Sequence, residues 1–165
     1  MQVLTGARAF KLGAAVLIGL ALGACARNNA DGAMDASAAG AGPGSYRDFT
    51  GNVGDRVFFD TDSTELSATA QATLDKQATW LNQYGRYSFT IEGHADERGT
   101  REYNFALGAR RAAAAKDFLI AKGVSASRIK TISYGKERPV VVCNDISCWS
   151  QNRRAVTVLA GAAGS

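Results

Sequence analysis

The stretch Glu92-Gly93-His94-Ala95-Asp96-Glu97-Arg98-Gly99-Thr100 runs straight into Arg101-Glu102-Tyr103-Asn104-Phe105-Ala106-Leu107-Gly108-Ala109-Arg110-Arg111 and sets the architecture of the chain. Just before it, Ser88-Phe89-Thr90-Ile91 is a short β-prone run. Gly93 and Gly99 permit turns, and Thr100 is placed to cap a helix predicted over about Arg101 to Lys122 and stopped by Gly123. A strand end, a polar loop and a helix start therefore follow one another. Unpaired backbone N–H groups in the first helical turn, together with the positive end of the helix dipole, make such a place receptive to a carboxylate. Asp96 in the loop offers the opposite pole, for an ammonium. The loop has a pole for each end of a zwitterion.

On either side of this stretch the chain alternates strand and helix. Arg56-Val57-Phe58-Phe59 is predicted as a first strand and Asp60-Thr61-Asp62-Ser63-Thr64 as a turn. Leu66, Ala70, Leu74, Ala78 and Leu81 recur at helical spacing and predict a helix over about Ala68 to Asn82, ended by Gly85. A second strand covers about Tyr87 to Glu92 and a third Arg128 to Ser133. A turn at Gly135 to Pro139 leads into a stretch expected to be irregular, and Arg154-Ala155-Val156-Thr157-Val158-Leu159 makes the last strand. The order β-α-β-α-β-β predicts an α/β (α+β) sandwich with a mixed sheet and helices packed on one face. On the long helix, Phe105, Ala109, Ala112 and Leu119 are expected to face the sheet. Asn104, Leu107 and Arg111, at i, i+3 and i+7, are expected to form a separate polar stripe.

The N-terminus has a different character. Arg8 and Lys11 precede Leu12 to Leu22, an apolar run of 11 residues that is too short to span a bilayer and matches the hydrophobic region of a signal peptide. Residues 1–24 are expected to be that signal peptide. From Ala26 to Ser45, 11 of 20 residues are Ala or Gly and none is aromatic, so this part cannot bury enough surface to order itself. As a flexible tether it would average roughly 25 Å end to end and reach about 70 Å when stretched. The folded domain is expected over residues 46–165, with Ala160 to Ser165 fraying.

Charge excludes one class of partner. Removing Arg8 and Lys11 from the 19 basic residues leaves 17 against 15 acidic ones, close to neutral. No basic stripe interleaved with aromatics is present, so nucleic acid is not an expected partner.

The motif strings carry a resemblance. Gly93 to Thr100, Tyr103-Asn104, Leu107-Gly108-Ala109-Arg110-Arg111-Ala112, Ser133-Tyr134-Gly135-Lys136-Glu137 and Asn152-Arg153-Arg154-Ala155-Val156 resemble the peptidoglycan-associated lipoproteins of the Tol–Pal system. These carry the peptidoglycan-binding domain shared with outer-membrane protein A and flagellar stator proteins. The similarity spans roughly Val57 to Leu159 and implies an OmpA-like domain. It also implies an outer-membrane lipoprotein whose domain faces the periplasm, grips peptidoglycan and supports envelope integrity and cell division, with the β-propeller protein TolB as a further partner. No cofactor is implied. Leu22-Gly23-Ala24-Cys25 resembles a bacterial lipobox, which makes Cys25 the lipidated first residue of the mature protein. One acyl chain binds membrane marginally, but each buried CH₂ adds about 0.8 kcal/mol, so the three chains of a lipoprotein cysteine would anchor it stably.

Residue by residue, the resemblance implies that Asp96 and Arg111 hold the ammonium and carboxylate of diaminopimelate in the peptidoglycan stem peptide. Arg111 lies about 15 Å along its helix, yet helical side chains lean toward the N-terminus and Arg is long enough to meet a loop folded over the first turns. A structural Asp96–Arg111 salt bridge without a ligand is the alternative. The end of the first strand, Phe59 and Asp60, is implied to line the site together with Gly99, Thr100, Asn104 and Leu107. Asp60 as a simple turn former and Leu107 as a core residue are the competing assignments. Arg153 and Arg154 are open between pairing with acids of the loop region and facing the glycan, and the roles of Arg98 and Arg110 are open too. His94 is expected to be a locally hydrogen-bonded structural residue.

Cys143 and Cys148 depart from the family pattern. In an exported protein a disulfide is the natural expectation, and closing so small a loop would stabilise the fold by about 2 kcal/mol on the entropic model. Zinc is the weaker rival, because His94 is the only histidine. A hydrolase built on His94, Asp96 and Glu97 is the alternative function. Against it stand the absence of a second histidine and of a nucleophile beside a base.

Overall fold

In the computed structural model, residues 42–161 are described. The expected signal peptide, Cys25, the tether as far as Ala41 and the last four residues lie outside them. The folded region begins slightly before the expected boundary at Tyr46, because Gly44 and Ser45 are bound into the domain. The Gly44 carbonyl accepts from Tyr87 Oη at 2.8 Å and from Arg86 Nη2 at 2.7 Å. Ser45 caps a one-turn helix α1 (Tyr46–Asp48), which runs into a π-helical turn, Phe49–Val53. Asp48 accepts from the Trp80 indole at 2.8 Å, and the buried Phe49 ring lies 4.9 Å from Trp80. Neither turn has a periodic apolar pattern, so both were invisible as helix in the residue spacing.

Then follow β1 (Arg56–Phe58), α2 (Ala68–Gln83), β2 (Phe89–His94), α3 (Arg101–Ala121), a 3₁₀ turn (Ala126–Arg128), β3 (Ile129–Gly135), α4 (Ile146–Asn152) and β4 (Arg154–Leu159). Ser67 and Thr100 cap α2 and α3 by accepting from Ala70 N and Tyr103 N. The sheet order is β1-β4-β2-β3, with β4 antiparallel to both β1 and β2, and β2 parallel to β3. The mixed sheet and the α+β sandwich follow the expectation. α2 and α3 cover the face bearing Val57, Phe89, Ile91, Ala155 and Leu159, which join Leu74, Leu81, Ala112 and Leu119 in one apolar core. Thr157 reaches into that layer and donates to Gln77 Oε1 at 2.9 Å.

Two expectations are corrected. The stretch before β4 is not wholly irregular, since α4 occupies Ile146–Asn152. Ser, Cys, Trp and Asn are indifferent helix formers, and this helix is held by tertiary bonds instead. Asn152 accepts from Val140 N at 2.9 Å and donates to Val141 O at 2.9 Å. On α3, Phe105 and Ala109 are exposed, whereas Asn104, Leu107 and Arg111 share the buried stripe with Gly108, Ala112, Ala115 and Leu119. The supposed polar stripe is an inner face, because the polar groups on it are satisfied by neighbouring backbone.

α3 sits against β2 with almost no gap. A Cβ placed on Gly93 would meet the Gly108 carbonyl oxygen at 1.8 Å, and one on Gly108 would meet Ser133 Oγ at 2.5 Å. Backbone facing backbone cannot yield as a flexible side chain would. Gly93→Ala is accordingly expected to destabilise the fold by about 3 kcal/mol, at the upper end for overpacking. Urea unfolding checks it, and a midpoint equal to wild type would show that α3 can move away freely.

Candidate functional site

The close approach of α3 to β2 leaves the connecting loop, Ala95 to Thr100, arched over the start of the helix, and the loop is pinned at several points. Ala95 N donates to Gly135 O at 2.8 Å. Lys136 Nζ donates to the carbonyls of Glu97 and Gly99, at 3.1 and 2.7 Å. Asn104 Nδ2 donates to Arg98 O at 2.6 Å, and Gly99 takes a φ of +85°, which favours glycine. Between this loop, α3 and the turn after β1 lies a cleft of about 280 Å³. It is lined by Thr61, Asp62, Asp96, Arg98, Gly99, Tyr103, Asn104, Leu107 and Arg111.

Arg111 is at its floor, with its side chain fully buried. Nε donates to Ser63 O at 2.9 Å, Nη1 to His94 O at 2.9 Å and Nη2 to Asp60 O at 3.1 Å. Its guanidinium carbon stands 5.2 Å from the centroid of the Phe59 ring. Three of five N–H donors are thereby used, and one remains on each terminal nitrogen. Among the described residues no carboxylate pairs with Arg111; the ion pairs of this region join Arg98 and Arg153 to Asp96. Burial, assisted by the charge of Arg153, lowers its pKa to about 10, which leaves it cationic at neutral pH. The floor of the cleft is a buried cation that no carboxylate contacts among the described residues, with Asp96 and Asp62 acting on it only through space.

Asp96 is held differently. Arg98 forks onto it, Nε to Oδ1 at 3.1 Å and Nη2 to Oδ2 at 2.8 Å, and the Arg98 backbone N–H also donates to Oδ1 at 3.2 Å. Arg153 Nη1 adds a longer contact to Oδ2 at 3.4 Å. Burial pushes the Asp96 carboxyl up, but hydrogen bonds and charge from Arg98, with Arg153, outweigh it and hold the group below its ordinary range. The alternative Asp96–Arg111 salt bridge is not formed, because each residue is committed to other partners.

The remaining site candidates divide. Gly99, Asn104 and Leu107 line the cleft. Thr100 does not; it caps α3. Phe59 and Asp60 act from behind, the first through its ring against Arg111 and its carbonyl, which accepts from Arg153 Nε at 2.9 Å, the second through its carbonyl alone. Arg153 thus belongs to the loop region. Arg154 is buried and donates to the carbonyls of Asn152 and Arg138, while Arg110 is exposed. Thr61, Asp62 and Tyr103, which sequence reasoning does not assign to the site, and Arg98, whose role it leaves open, also line the cleft. Asp62 has a φ of +57° and accepts from the Tyr103 hydroxyl. An Asp in a turn that follows a strand ending beside the helix start was the available signal.

His94 is buried as expected, but among the described residues neither ring nitrogen has a hydrogen-bond partner; Nε2 stands 3.7 Å from Glu92 Oε2, beyond hydrogen-bond reach. Its ring lies beside Tyr134 and does not line the cleft. Burial and the charges of Arg154, Arg138 and Arg56 lower its pKa to about 4, so it is neutral at neutral pH. Glu97 accepts from the Trp149 indole N–H. The three groups of the supposed hydrolase cluster therefore point to three different surroundings. Cys143 and Cys148 form a disulfide with Cα atoms 5.8 Å apart, and among the described residues the only close group of metal-type ligands is this pair with Asp145.

The model of the OmpA family matches residues 58–153. A protein of Mesorhizobium japonicum named peptidoglycan-associated lipoprotein is 67% identical over 147 residues, covering 87% of this chain and 88% of its own. One of the same name from Agrobacterium fabrum is 65% identical over 153 residues, 90% of this chain and 86% of its own. The crystal structure of the peptidoglycan-associated lipoprotein from Burkholderia pseudomallei superposes with a TM-score of 0.65 at 37% identity, covering 68% of this chain and 98% of that one. The C-terminal domain of Helicobacter pylori MotB, at 19% identity, shares the fold with a TM-score of 0.60 over 64% of this chain and 84% of that one. With the matched segment holding β2, β3, the pinned loop and the whole of α3, the chain belongs to the OmpA family and, within it, to the peptidoglycan-associated lipoproteins.

Proposed function

We propose that this protein is an outer-membrane lipoprotein that binds the diaminopimelate stem peptide of peptidoglycan without cleaving it. It would thereby tie the outer membrane to the wall within the Tol–Pal system, and so support envelope integrity and cell division. The observation that carries this reading is Arg111, a buried guanidinium with two unused donors and no carboxylate partner at the floor of an open cleft. A ligand carboxylate supplies what that group lacks, in the two-pronged geometry a guanidinium prefers. Asp62 and Asp96 on the walls of the cleft supply acceptors for an ammonium. Diaminopimelate carries both groups at the end of its side chain, whereas lysine carries only the ammonium.

Nothing about the cleft favours hydrolysis. Asp96 is held below the ordinary carboxylate range, a poor setting for a general acid, and the one histidine turns its ring elsewhere. A TolB-type propeller is the proposed protein partner, on the strength of the family. Residues 1–24 as signal peptide, lipid on Cys25 and residues 26–41 as tether complete the proposal. The test is cosedimentation with purified sacculi: the protein should pellet with them and release no soluble muropeptides. Released fragments would replace the anchor by a hydrolase. Cys25→Ala should still pellet with sacculi yet no longer partition with membranes, and retained partition would remove the lipid from the account.

A further inference from the structure

We propose that Trp149 is a positioning residue for Asp96, acting through Arg98, and that the Cys143–Cys148 disulfide keeps it in place; the inference rests on the stem-peptide function proposed above. The guanidinium carbon of Arg98 lies 4.1 Å from the centroid of the Trp149 ring, close enough for a cation–π contact. The same indole donates its N–H to Glu97. Trp149 therefore touches two successive residues of the pinned loop, and one of them forks onto the Asp96 carboxylate.

Arg98 alone would be a poor clamp. Its side chain is 40% exposed, and a guanidinium so placed is free to swing into solvent, away from the buried carboxylate. It also lines the cleft, so a swing away from Asp96 carries a positive charge to where the ligand ammonium arrives. The indole plane removes that freedom by occupying one face of the fork. Asp96 is left with its carboxylate fixed in one plane and its negative charge held on the wall of the cleft, the long 3.4 Å contact from Arg153 being the one a ligand ammonium can displace.

Trp149 in turn depends on α4. Seven residues of indifferent propensity do not make a helix alone. Asp145 caps it by accepting from Ser147 N at 2.7 Å, Asn152 ties it to Val140 and Val141, and the disulfide joins Cys143, before the helix, to Cys148, the neighbour of Trp149. Arg153, the other guanidinium on Asp96, follows the same helix immediately. Arg153 is also bonded to Phe59, its Nε donating to Phe59 O and its carbonyl accepting from Phe59 N, both at 2.9 Å, so Arg98 is the cationic partner that depends on Trp149. A dithiol reductant would convert the disulfide into two thiols, itself becoming a cyclic disulfide, and loosen the turn that presents the indole.

Calorimetry of the full-length chain in detergent micelles with a meso-diaminopimelate tripeptide tests this, alongside Trp149→Ala, Trp149→Phe and the double variant Cys143→Ser/Cys148→Ser. Trp149→Ala should weaken binding about tenfold, and Trp149→Phe, which keeps a ring under Arg98, should recover to within about threefold of wild type. The double cysteine variant should weaken binding several-fold and add nothing on top of Trp149→Ala, because both act through one contact. Unchanged binding by Trp149→Ala, no recovery with Phe, or full additivity would overturn the proposal. A ligand-free readout separates it from the function itself. The Arg98 Nε–Hε resonance should be shifted upfield by the indole in wild type and lose that shift in Trp149→Ala. Wild type that fails to bind the peptide but shows the shift defeats the stem-peptide function and spares the positioning; an unshifted resonance in wild type defeats the positioning.

Discussion

Arg111→Ala is expected to abolish binding of the diaminopimelate stem peptide and to destabilise the domain at the same time. The second effect follows from burial. Three backbone carbonyls, of Ser63, His94 and Asp60, converge on one guanidinium, and truncation removes a donor from each, Asp60 O alone keeping the Ser63 N–H at 3.2 Å. An unsatisfied buried acceptor costs about 1–3 kcal/mol, and water entering the vacated space recovers part of it, so a net loss of about 3–5 kcal/mol is expected. Those carbonyls belong to the turn after β1 and the end of β2, so Arg111 also ties together the two segments that flank the cleft. Arg111→Lys separates its two duties. A single ammonium cannot reach three carbonyls and still offer two prongs to a carboxylate, so stability should fall by about 2 kcal/mol and affinity at least tenfold. Urea unfolding and calorimetry on the same samples check both, and wild-type stability in Arg111→Ala would contradict the structural role.

Asp96→Ala should leave the fold standing yet weaken binding by about 2–5 kcal/mol. Its carboxylate is the shared counter-ion of Arg98 and Arg153, so removing it leaves Arg98 and Arg111 lining the cleft and Arg153 behind its wall, with that counter-charge gone. An incoming ammonium then loses an acceptor and meets unbalanced positive charge. Asp96→Asn is the finer variant, since it keeps the shape and one acceptor oxygen but not the charge. It should bind nearly as poorly as Ala if charge decides the interaction, and calorimetry distinguishes the two. Binding by Asp96→Asn close to wild type would mean that Asp62 alone receives the ammonium.

The alternation of strand and helix was legible because its signals are local. Thr100 capping α3, Gly99 in a left-handed turn and Leu74 and Leu81 at helical spacing can each be recognised without knowing what they pack against. α4 was not legible, since Asn152 holds it by bonds to Val140 and Val141 that no propensity encodes. Arg111 shows the sharper failure. A charged residue on a helix is ordinarily placed outside, and only the meeting of three carbonyls at one point makes the inner face of α3 a polar one. For the same reason Phe105 was assigned inward and lies exposed. Asp96 and Arg111 are recognisable as a pair of opposite charges around one loop, but the partners Asp96 takes are Arg98, two residues on, and Arg153, which lies far along the chain. The Cys143–Cys148 turn is likewise far from the loop along the chain, yet the residue after Cys148 touches it.

Capture of a ligand carboxylate by Arg111 is the centre of the proposed function. It is tested most directly by calorimetric titration of the wild-type chain with two stem tripeptides that differ only in carrying meso-diaminopimelate or lysine at the third position. The diaminopimelate peptide should bind, and the lysine peptide, lacking the second carboxylate, should bind about 30–100-fold more weakly. Equal affinity for the two peptides would contradict it.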